Sequence, residues 1–184
     1  MCKNARPVDH RIERARADDI AKLPALEIAA NALFAGRGLA GVAPDDATSL
    51  AELTRAHAAG LLWVARAGDG EPIGFALVEI VDGQAHLEEI DVHPAHGRRG
   101  VGRALLDAVV GWARGTGRRA VTLTTFRDVP WNAPFYEGVG FRVLAPHELG
   151  PGLAEVVREE TARGLDPAQR VAMRRDLAGE RSPG

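Results

Sequence analysis

Apolar residues in the N-terminal half follow first the period of a strand and then that of a helix. Arg11 to Ala17 alternates, which predicts a short first strand. Apolar positions recur at helical spacing from Leu23 to Leu33, and a second helix is predicted to open at Pro44-Asp45-Asp46 and to end at Gly60. Three strand patterns follow in succession, over residues 61–67, 72–81 and 84–92. The Asp82-Gly83 turn predicts a hairpin between the last two.

The C-terminal half begins with a strongly amphipathic helix. Its apolar face carries Val101, Leu105, Ala108, Val109 and Trp112. Gly115 and Gly117 are predicted to end it, and Ala120 to Thr125 has the β-branched character of a buried strand. The remaining elements are predicted as a short helix at 132–138, a strand at 141–144, a helix at 152–163 and a last strand at 170–177. This order predicts an α/β (α+β) protein with a mixed sheet and helices on both faces.

Length and composition point to one domain. The 184 residues are 46% hydrophobic and 26% charged, with a formal net charge of −2. We expect a single domain over residues 1–184, with its core at about 11–177 and flexible ends at 1–10 and 178–184. The N-terminus has no apolar segment typical of a signal peptide, and no stretch approaches the ~20 apolar residues of a membrane span. We therefore expect a cytoplasmic enzyme or binding protein that neither enters membranes nor binds nucleic acid.

The segment from His93 to Arg103 joins a strand to the amphipathic helix and has the composition of an anion-binding turn. Gly97, Gly100 and Gly102 leave room for backbone N–H groups to approach an anion. The start of the helix adds N–H groups and the positive end of its dipole. Arg98, Arg99 and Arg103 add positive charge. This pattern favours a diphosphate ligand, and the alternative is a glycine-rich turn whose arginines are merely solvated.

Two better-known phosphate motifs do not fit this turn. A P-loop ends in Gly-Lys-Ser/Thr, whereas the chain has Gly102-Arg103-Ala104. A dinucleotide fingerprint needs a third small residue where Leu105 stands, and no acidic residue ends the next strand at Thr124-Thr125.

From about Ile12 to Leu144 the chain resembles the GNAT superfamily of N-acetyltransferases. Gly100 and Gly102 match that family's acetyl-CoA motif, with Gly97 in place of the usual Gln or Arg. The segment from Phe135 to Phe141 is similar to the family's Leu/Phe-Tyr-x-x-x-Gly-Phe motif. The resemblance implies a mostly antiparallel sheet of about six or seven strands. It also implies direct transfer of the acetyl group of acetyl-CoA to a primary amine in a ternary complex.

The resemblance also assigns the cofactor-binding residues. Val92 lies where the family's fourth strand offers backbone to the pantetheine arm and the thioester. Where the family often has an Asn, this chain has Val129, and Asn132 is the nearest one. The full expected set is Ile90, Asp91, Val92, Arg98, Arg99, Gly100, Val101, Gly102, Arg103 and Asn132.

Acetylation of an amine calls for a proton donor to the departing thiolate and a base for the ammonium. Tyr136, the single Tyr, matches the family's Tyr and is the expected donor; the alternative is a Tyr that packs the short helix. His86 and Glu88 alternate onto one face with Ile90 and Val92, and we rank Glu88 before His86 as the base. Glu89, on the other face, is interpreted as a surface residue of the sheet.

We expect a small-molecule amine as the acceptor, and the sequence leaves a homodimer open. Alternatives are a protein N-terminal or lysine acetyltransferase and a non-catalytic acyl-CoA sensor. Residues 33–42 and 143–164 are expected to determine the choice of acceptor. No metal site is expected, because the chain has one Cys and His93-Pro94-Ala95-His96 lies in a loop. Nucleic-acid binding by the arginines of residues 98–119 is disfavoured because aromatic residues make up only 5% of the chain.

Overall fold

The computed structural model describes residues 10–34 and 47–177. The predicted helix start at Pro44-Asp45-Asp46 and nearly all of the two predicted flexible ends lie outside these residues. Seven strands are described: β1 Arg11–Arg14, β2 Leu62–Arg66, β3 Pro72–Val81, β4 Gln84–Val92, β5 Ala120–Phe126, β6 Arg142–Val143 and β7 Arg170–Asp176. Five α-helices accompany them: α1 Leu23–Asn31, α2 Leu50–Ala58, α3 Val101–Gly115, α4 Ala133–Gly138 and α5 Pro151–Ala162.

The strands form one sheet in the order β1-β2-β3-β4-β5-β7-β6. β4 and β5 pair in parallel, whereas the pairs β1–β2, β2–β3, β5–β7 and β6–β7 are antiparallel. The parallel pair follows from the crossover through α3, since a helix between two strands returns the chain in the same direction. The predicted fold class, a mixed and mostly antiparallel sheet with helices, is confirmed.

The described residues group into two compact units. Unit 1 contains residues 10–33, 47–77 and 89–109, and unit 2 contains residue 34 with residues 78–88 and 110–177. β3, β4 and α3 contribute residues to both units. Each unit is described by itself below.

Unit 1 packs helices against both faces of its strands. On one face α1 and α2 bury a cluster of apolar side chains that consists of Ala15, Leu23, Leu26, Leu53, Ala56, Leu62, Val64, Phe75 and Leu77. On the other face Leu105 of α3 covers Gly74, where an added Cβ would lie 3.3 Å from its Cδ1 atom. Gly74 and Phe75 are neighbours in β3, so their faces are opposite.

Unit 2 buries a smaller apolar cluster under α5, formed by Leu144, Leu153 and Ala172 with Val81, Leu149 and Val157 around it. Asp82 of the hairpin turn accepts hydrogen bonds from the backbone N–H groups of Gly152 and Leu153, at 2.8 and 3.0 Å. An acidic side chain at this position satisfies two amide groups of the first helical turn and also suits the helix dipole.

Two predicted element boundaries differ from the structure by three residues or more. α2 begins at Leu50, where Ser49 and Glu52 form a reciprocal capping box, so the helix starts later than Pro44-Asp45-Asp46. β1 ends at Arg14 because the chain turns there, and the Arg16 N–H donates to Asp19 at 2.7 Å. The carboxylate of Asp19 also pairs with the buried Arg66 at 2.5 Å.

Candidate active site

The turn before α3, in unit 1, holds two residues in the left-handed region of backbone conformation. The φ angle is 58° at Arg98 and 82° at Gly100. The Ala104 N–H donates to the Gly100 carbonyl at 2.9 Å, which is the first hydrogen bond of the helix. The amide groups of Val101, Gly102 and Arg103 therefore belong to the first turn, where no intrahelical acceptor is available.

The surface of this turn is open and basic. Arg98, Arg99 and Arg103 are exposed, and Val101 is buried as the apolar anchor of the helix. A Cβ added at Gly102 would meet only the Val92 Cγ2 atom, at 3.7 Å. Arg103 already forms an ion pair with Asp107, at 2.9 Å, so this arginine is the one of the three with a described acidic partner.

In unit 2 the structure brings His86 and Glu88 together, as their alternation in β4 predicts. The His86 Nε2 and Glu88 Oε2 atoms are 3.4 Å apart, and the other ring nitrogen, Nδ1, lies 3.0 Å from the Thr122 hydroxyl. His86 is fully buried, whereas 32% of the Glu88 side chain is exposed. His86, and more distantly Arg163 and Arg170, keep the pKa of Glu88 below its usual value against the opposing effect of burial.

Tyr136 and Asn132 lie on and next to α4, also in unit 2. Tyr136 is 7% exposed, and its ring meets the rings of Phe135 and Phe141 at centroid distances of 5.2 and 5.6 Å. The Asn132 side-chain amide donates to the Thr125 hydroxyl at 2.9 Å, and its backbone carbonyl accepts from the Tyr136 N–H at 3.0 Å. Asn132 thus ties the start of α4 to the end of β5, a role that the sequence does not predict.

A third group of polar residues, in unit 1, was not predicted. Single carboxylate oxygens of Glu27, Glu89 and Asp91 lie within 4.8 Å of one another. The sequence predicts Glu89 as a surface residue of the sheet and Asp91 as a cofactor contact, and Glu27 is not among the predicted site residues. The available signal was a carboxylate within the apolar stripe of α1, between Leu26 and Ala30.

The comparison with known families settles the membership of the chain. The model of the acetyltransferase (GNAT) family matches residues 37–141, which is more than half of the chain. The chain belongs to the GNAT acetyltransferase family. The family expected from Gly100, Gly102 and the segment around Tyr136 is therefore confirmed.

Two curated relatives of this GNAT chain share parts of its sequence. A mycothiol acetyltransferase from Nocardiopsis dassonvillei is 34% identical over 122 residues, which cover 49% of this chain and 34% of the relative. An aminoglycoside N(6')-acetyltransferase type 1 from Stenotrophomonas maltophilia is 42% identical over 90 residues, or 43% of this chain and 59% of the relative. The chain thus spans less than two thirds of the length of either protein.

Solved structures show the same fold. The N-acetylglutamate synthase from Neisseria gonorrhoeae, complexed with coenzyme A and N-acetyl-glutamate, matches with a TM-score of 0.69 at 18% identity. The match covers 91% of this chain and 35% of that protein. Among the residues that the structure describes, no helix has the length and apolar character needed to cross a membrane.

Proposed function

We propose that this GNAT chain transfers the acetyl group of acetyl-CoA to a primary amine of a small molecule. The observation that carries the proposal is the turn before α3. Arg98 and Gly100 give it a left-handed bend, and Gly102 leaves its first-turn amide groups uncovered. Backbone amides, a helix dipole and exposed arginines together favour a diphosphate, which is the anionic part of coenzyme A. The names of the mycothiol and aminoglycoside relatives favour a small molecule over a protein as the acceptor.

In this proposal, each chemical role falls to a residue of the chain. The turn and residues 90–92 of β4 hold the cofactor, and the backbone N–H of Val92 donates to the thioester carbonyl as its oxygen gains charge. Tyr136 donates a proton to the departing thiolate. Asn132 keeps α4, and with it Tyr136, in position through its bonds to Thr125 and the Tyr136 N–H.

Glu88 is the better of the two expected bases. Glu88 is ionised at neutral pH, and 32% of its side chain is exposed, so it can reach an amine or a water molecule. His86 lowers the pKa of Glu88, which makes the carboxylate a weaker base, so its accessibility is what favours it. His86 is fully buried and hydrogen-bonded to Thr122, which prevents it from meeting an amine directly. We assign His86 as a positioning residue behind Glu88.

Calorimetry with acetyl-CoA and a thiol-release screen against amines test the proposal. We expect acetyl-CoA to bind, free CoA to compete with it, and at least one amine to release thiol above the hydrolysis background. Absence of binding at millimolar acetyl-CoA contradicts the proposal. Binding without turnover of any amine favours the acyl-CoA sensor instead.

Gly102→Asp tests the turn itself. The new Cβ has only Val92 at 3.7 Å, and an acidic residue in a first helical turn is favourable, so the variant should fold. A carboxylate there repels a diphosphate, and we expect acetyl-CoA affinity to fall by roughly 100-fold or more, about 2.8 kcal/mol. Gly102→Asn, of the same size without the charge, is the matched control and should lose less. Wild-type affinity in Gly102→Asp means that the turn is not the phosphate site.

A further inference from the structure

The carboxylates of Glu27, Glu89 and Asp91, here called the acidic cluster, come from two elements of unit 1. Glu27 projects from α1, and Glu89 and Asp91 share one face of β4. Glu27 is 5% exposed and Asp91 is 7% exposed, whereas Glu89 is half-buried. Glu89 is therefore the member through which solvent reaches the cluster. Three carboxylates at this spacing and depth repel one another strongly unless positive charge or protons accompany them.

The two buried members differ in how their oxygens are satisfied. The Thr48 N–H donates to both carboxylate oxygens of Glu27, at 3.1 and 3.0 Å. The Asp91 Oδ2 atom is buried and accepts no hydrogen bond from the described residues. Buried polar atoms are nearly always paired, and an unpaired one is destabilising by about 1–3 kcal/mol. Burial, and secondly the charge of Glu27, raise the pKa of Asp91 well above its usual range. Asp91 Oδ2 can therefore accept a hydrogen bond from a ligand that enters the cluster.

We propose that the acidic cluster binds an ammonium group of the acetyl acceptor, with Asp91 Oδ2 accepting one of its N–H bonds. This inference rests on the proposed function, because it assumes that an amine is the second substrate. An ammonium supplies N–H donors, one of which would satisfy Asp91 Oδ2, and a positive charge that is attracted by three clustered carboxylates. Asp91 also directly precedes Val92, the residue whose backbone is proposed to meet the thioester, so the cluster flanks the reacting end of the cofactor on β4.

The ammonium held in the cluster is not the one that is acetylated. Neighbouring negative charges favour the protonated form of an amine and raise its pKa, and a protonated amine has no lone pair with which to attack a thioester. The cluster therefore serves as an anchor, and the nucleophile is another amine of the same molecule. The substrate class that follows is a diamine or polyamine, including amino sugars with several ammonium groups. A monoamine cannot place an ammonium in the cluster and present a second amine to the thioester at the same time.

A matched pair of substrates tests this class in the thiol-release assay. 1,4-Diaminobutane and n-pentylamine have equal numbers of non-hydrogen atoms, and only the first carries a second ammonium. Because a hydrogen bond to a charged group is lost with pentylamine, we expect kcat/KM to be roughly 10- to 100-fold higher for the diamine, mainly through KM. Diamines of three to eight carbons, spermidine and kanamycin extend the series to other spacings. Equal kcat/KM for every such polyamine and its monoamine counterpart overturns the inference and leaves the proposed function standing.

The Asp91→Asn variant tests whether the acidic cluster causes the preference for the diamine over the monoamine. The substitution keeps the shape and removes the charge, so it should cancel the preference for the diamine and bring its kcat/KM down to the value for pentylamine. Glu71→Gln removes an exposed carboxylate of the same unit, paired with Lys22, and should keep the preference. A purely structural role for Asp91 would lower kcat/KM for both amines by the same factor, and that result contradicts the inference.

Binding provides a readout that does not depend on turnover. We expect millimolar spermidine to raise the melting temperature of the CoA-loaded wild type and to leave that of Asp91→Asn unchanged. A shift of the same size in both proteins, or in neither, overturns the inference. Mg²⁺ or Ca²⁺ serves as the competing ligand, because the same oxygens suit a metal ion. A shift with either metal that is lost in Asp91→Asn, without any spermidine effect, identifies a metal site instead.

Discussion

At the scale of single residues, burial separates the side chains that contact solvent from those that act through a neighbour. Glu88 and His86 lie two residues apart in β4 and their side chains come within 3.4 Å of each other, yet only Glu88 has appreciable exposure. Tyr136 is almost as buried as the core. Substitutions at these positions therefore remove polar atoms from packed surroundings, and isosteric replacements are the informative ones.

Tyr136→Phe removes the proposed proton donor and keeps the ring contacts with Phe135 and Phe141. The variant should fold and bind acetyl-CoA with unchanged affinity. If the phenol protonates the thiolate in the transition state, kcat and kcat/KM should fall together by roughly 10²–10⁴-fold. Steady-state kinetics with a good acceptor measure this, and a folded variant with wild-type kcat assigns the ring to packing alone.

Asp91→Asn should stabilise the protein by an amount that grows with pH. The pKa of Asp91 is raised in the folded state, so the folded protein binds more protons than the unfolded chain at pH values between the unfolded and folded pKa values. The wild type therefore loses stability as pH rises through that window, by about 1.4 kcal/mol for each unit of elevation, and Asn lacks this dependence. Urea denaturation from pH 5 to pH 8 measures it, with Glu71→Gln as the control. A variant that differs from the wild type by a constant amount at all pH values contradicts the raised pKa.

At the scale of elements, periodicity and turn residues predicted most of the structure. β3, β4 and α3 have the predicted positions because each has an unbroken apolar period and a strong stop, such as Asp82-Gly83 or Gly115. The acidic cluster was not predicted, because Glu27 lies at least 62 residues before Glu89 and Asp91 in the sequence. Only the packing of α1 brings the three carboxylates together. The same holds for Asp19, whose proximity to Arg66 depends on tertiary structure.

Gly74 shows what the close packing of β3 requires. Its φ is ordinary, but an added Cβ would lie 2.7 Å from the Asp91 carbonyl oxygen and 3.3 Å from side-chain atoms of Val92 and Leu105. We expect Gly74→Ala to lower the free energy of unfolding by about 1–3 kcal/mol, as overpacking does. Gly111→Ala, within α3 and with no atom near its added Cβ, should instead raise it by about 0.5–1 kcal/mol. Urea denaturation measures the change in the free energy of unfolding of each variant. No change in Gly74→Ala would show that β4 can move away from the added methyl group.

At the scale of the whole molecule, the two compact units are not separate segments of chain. β3, β4 and α3 each pass from one unit into the other, so no single cut releases either unit intact. Each unit also carries part of the proposed chemistry: the turn and the acidic cluster belong to unit 1, and Glu88 and Tyr136 belong to unit 2. The single domain expected from the sequence stays a prediction, and it is one that unfolding experiments can test.

We expect one cooperative unfolding transition, because β3, β4 and α3 belong to both units. When one of these elements unfolds, both units lose structure. Two single-tryptophan proteins report on the units separately. The first protein carries Trp112→Phe and Trp131→Phe and keeps only the buried Trp63, in unit 1. The second carries Trp63→Phe and Trp131→Phe and keeps only Trp112, in unit 2. In each protein the fluorescence and far-ultraviolet circular dichroism transitions in urea should coincide. Saturating acetyl-CoA should shift both signals to higher urea by the same amount, since a ligand of the folded state stabilises everything that unfolds with it. Transitions that separate in either protein, or a shift confined to the Trp63 signal, show instead that the units unfold independently.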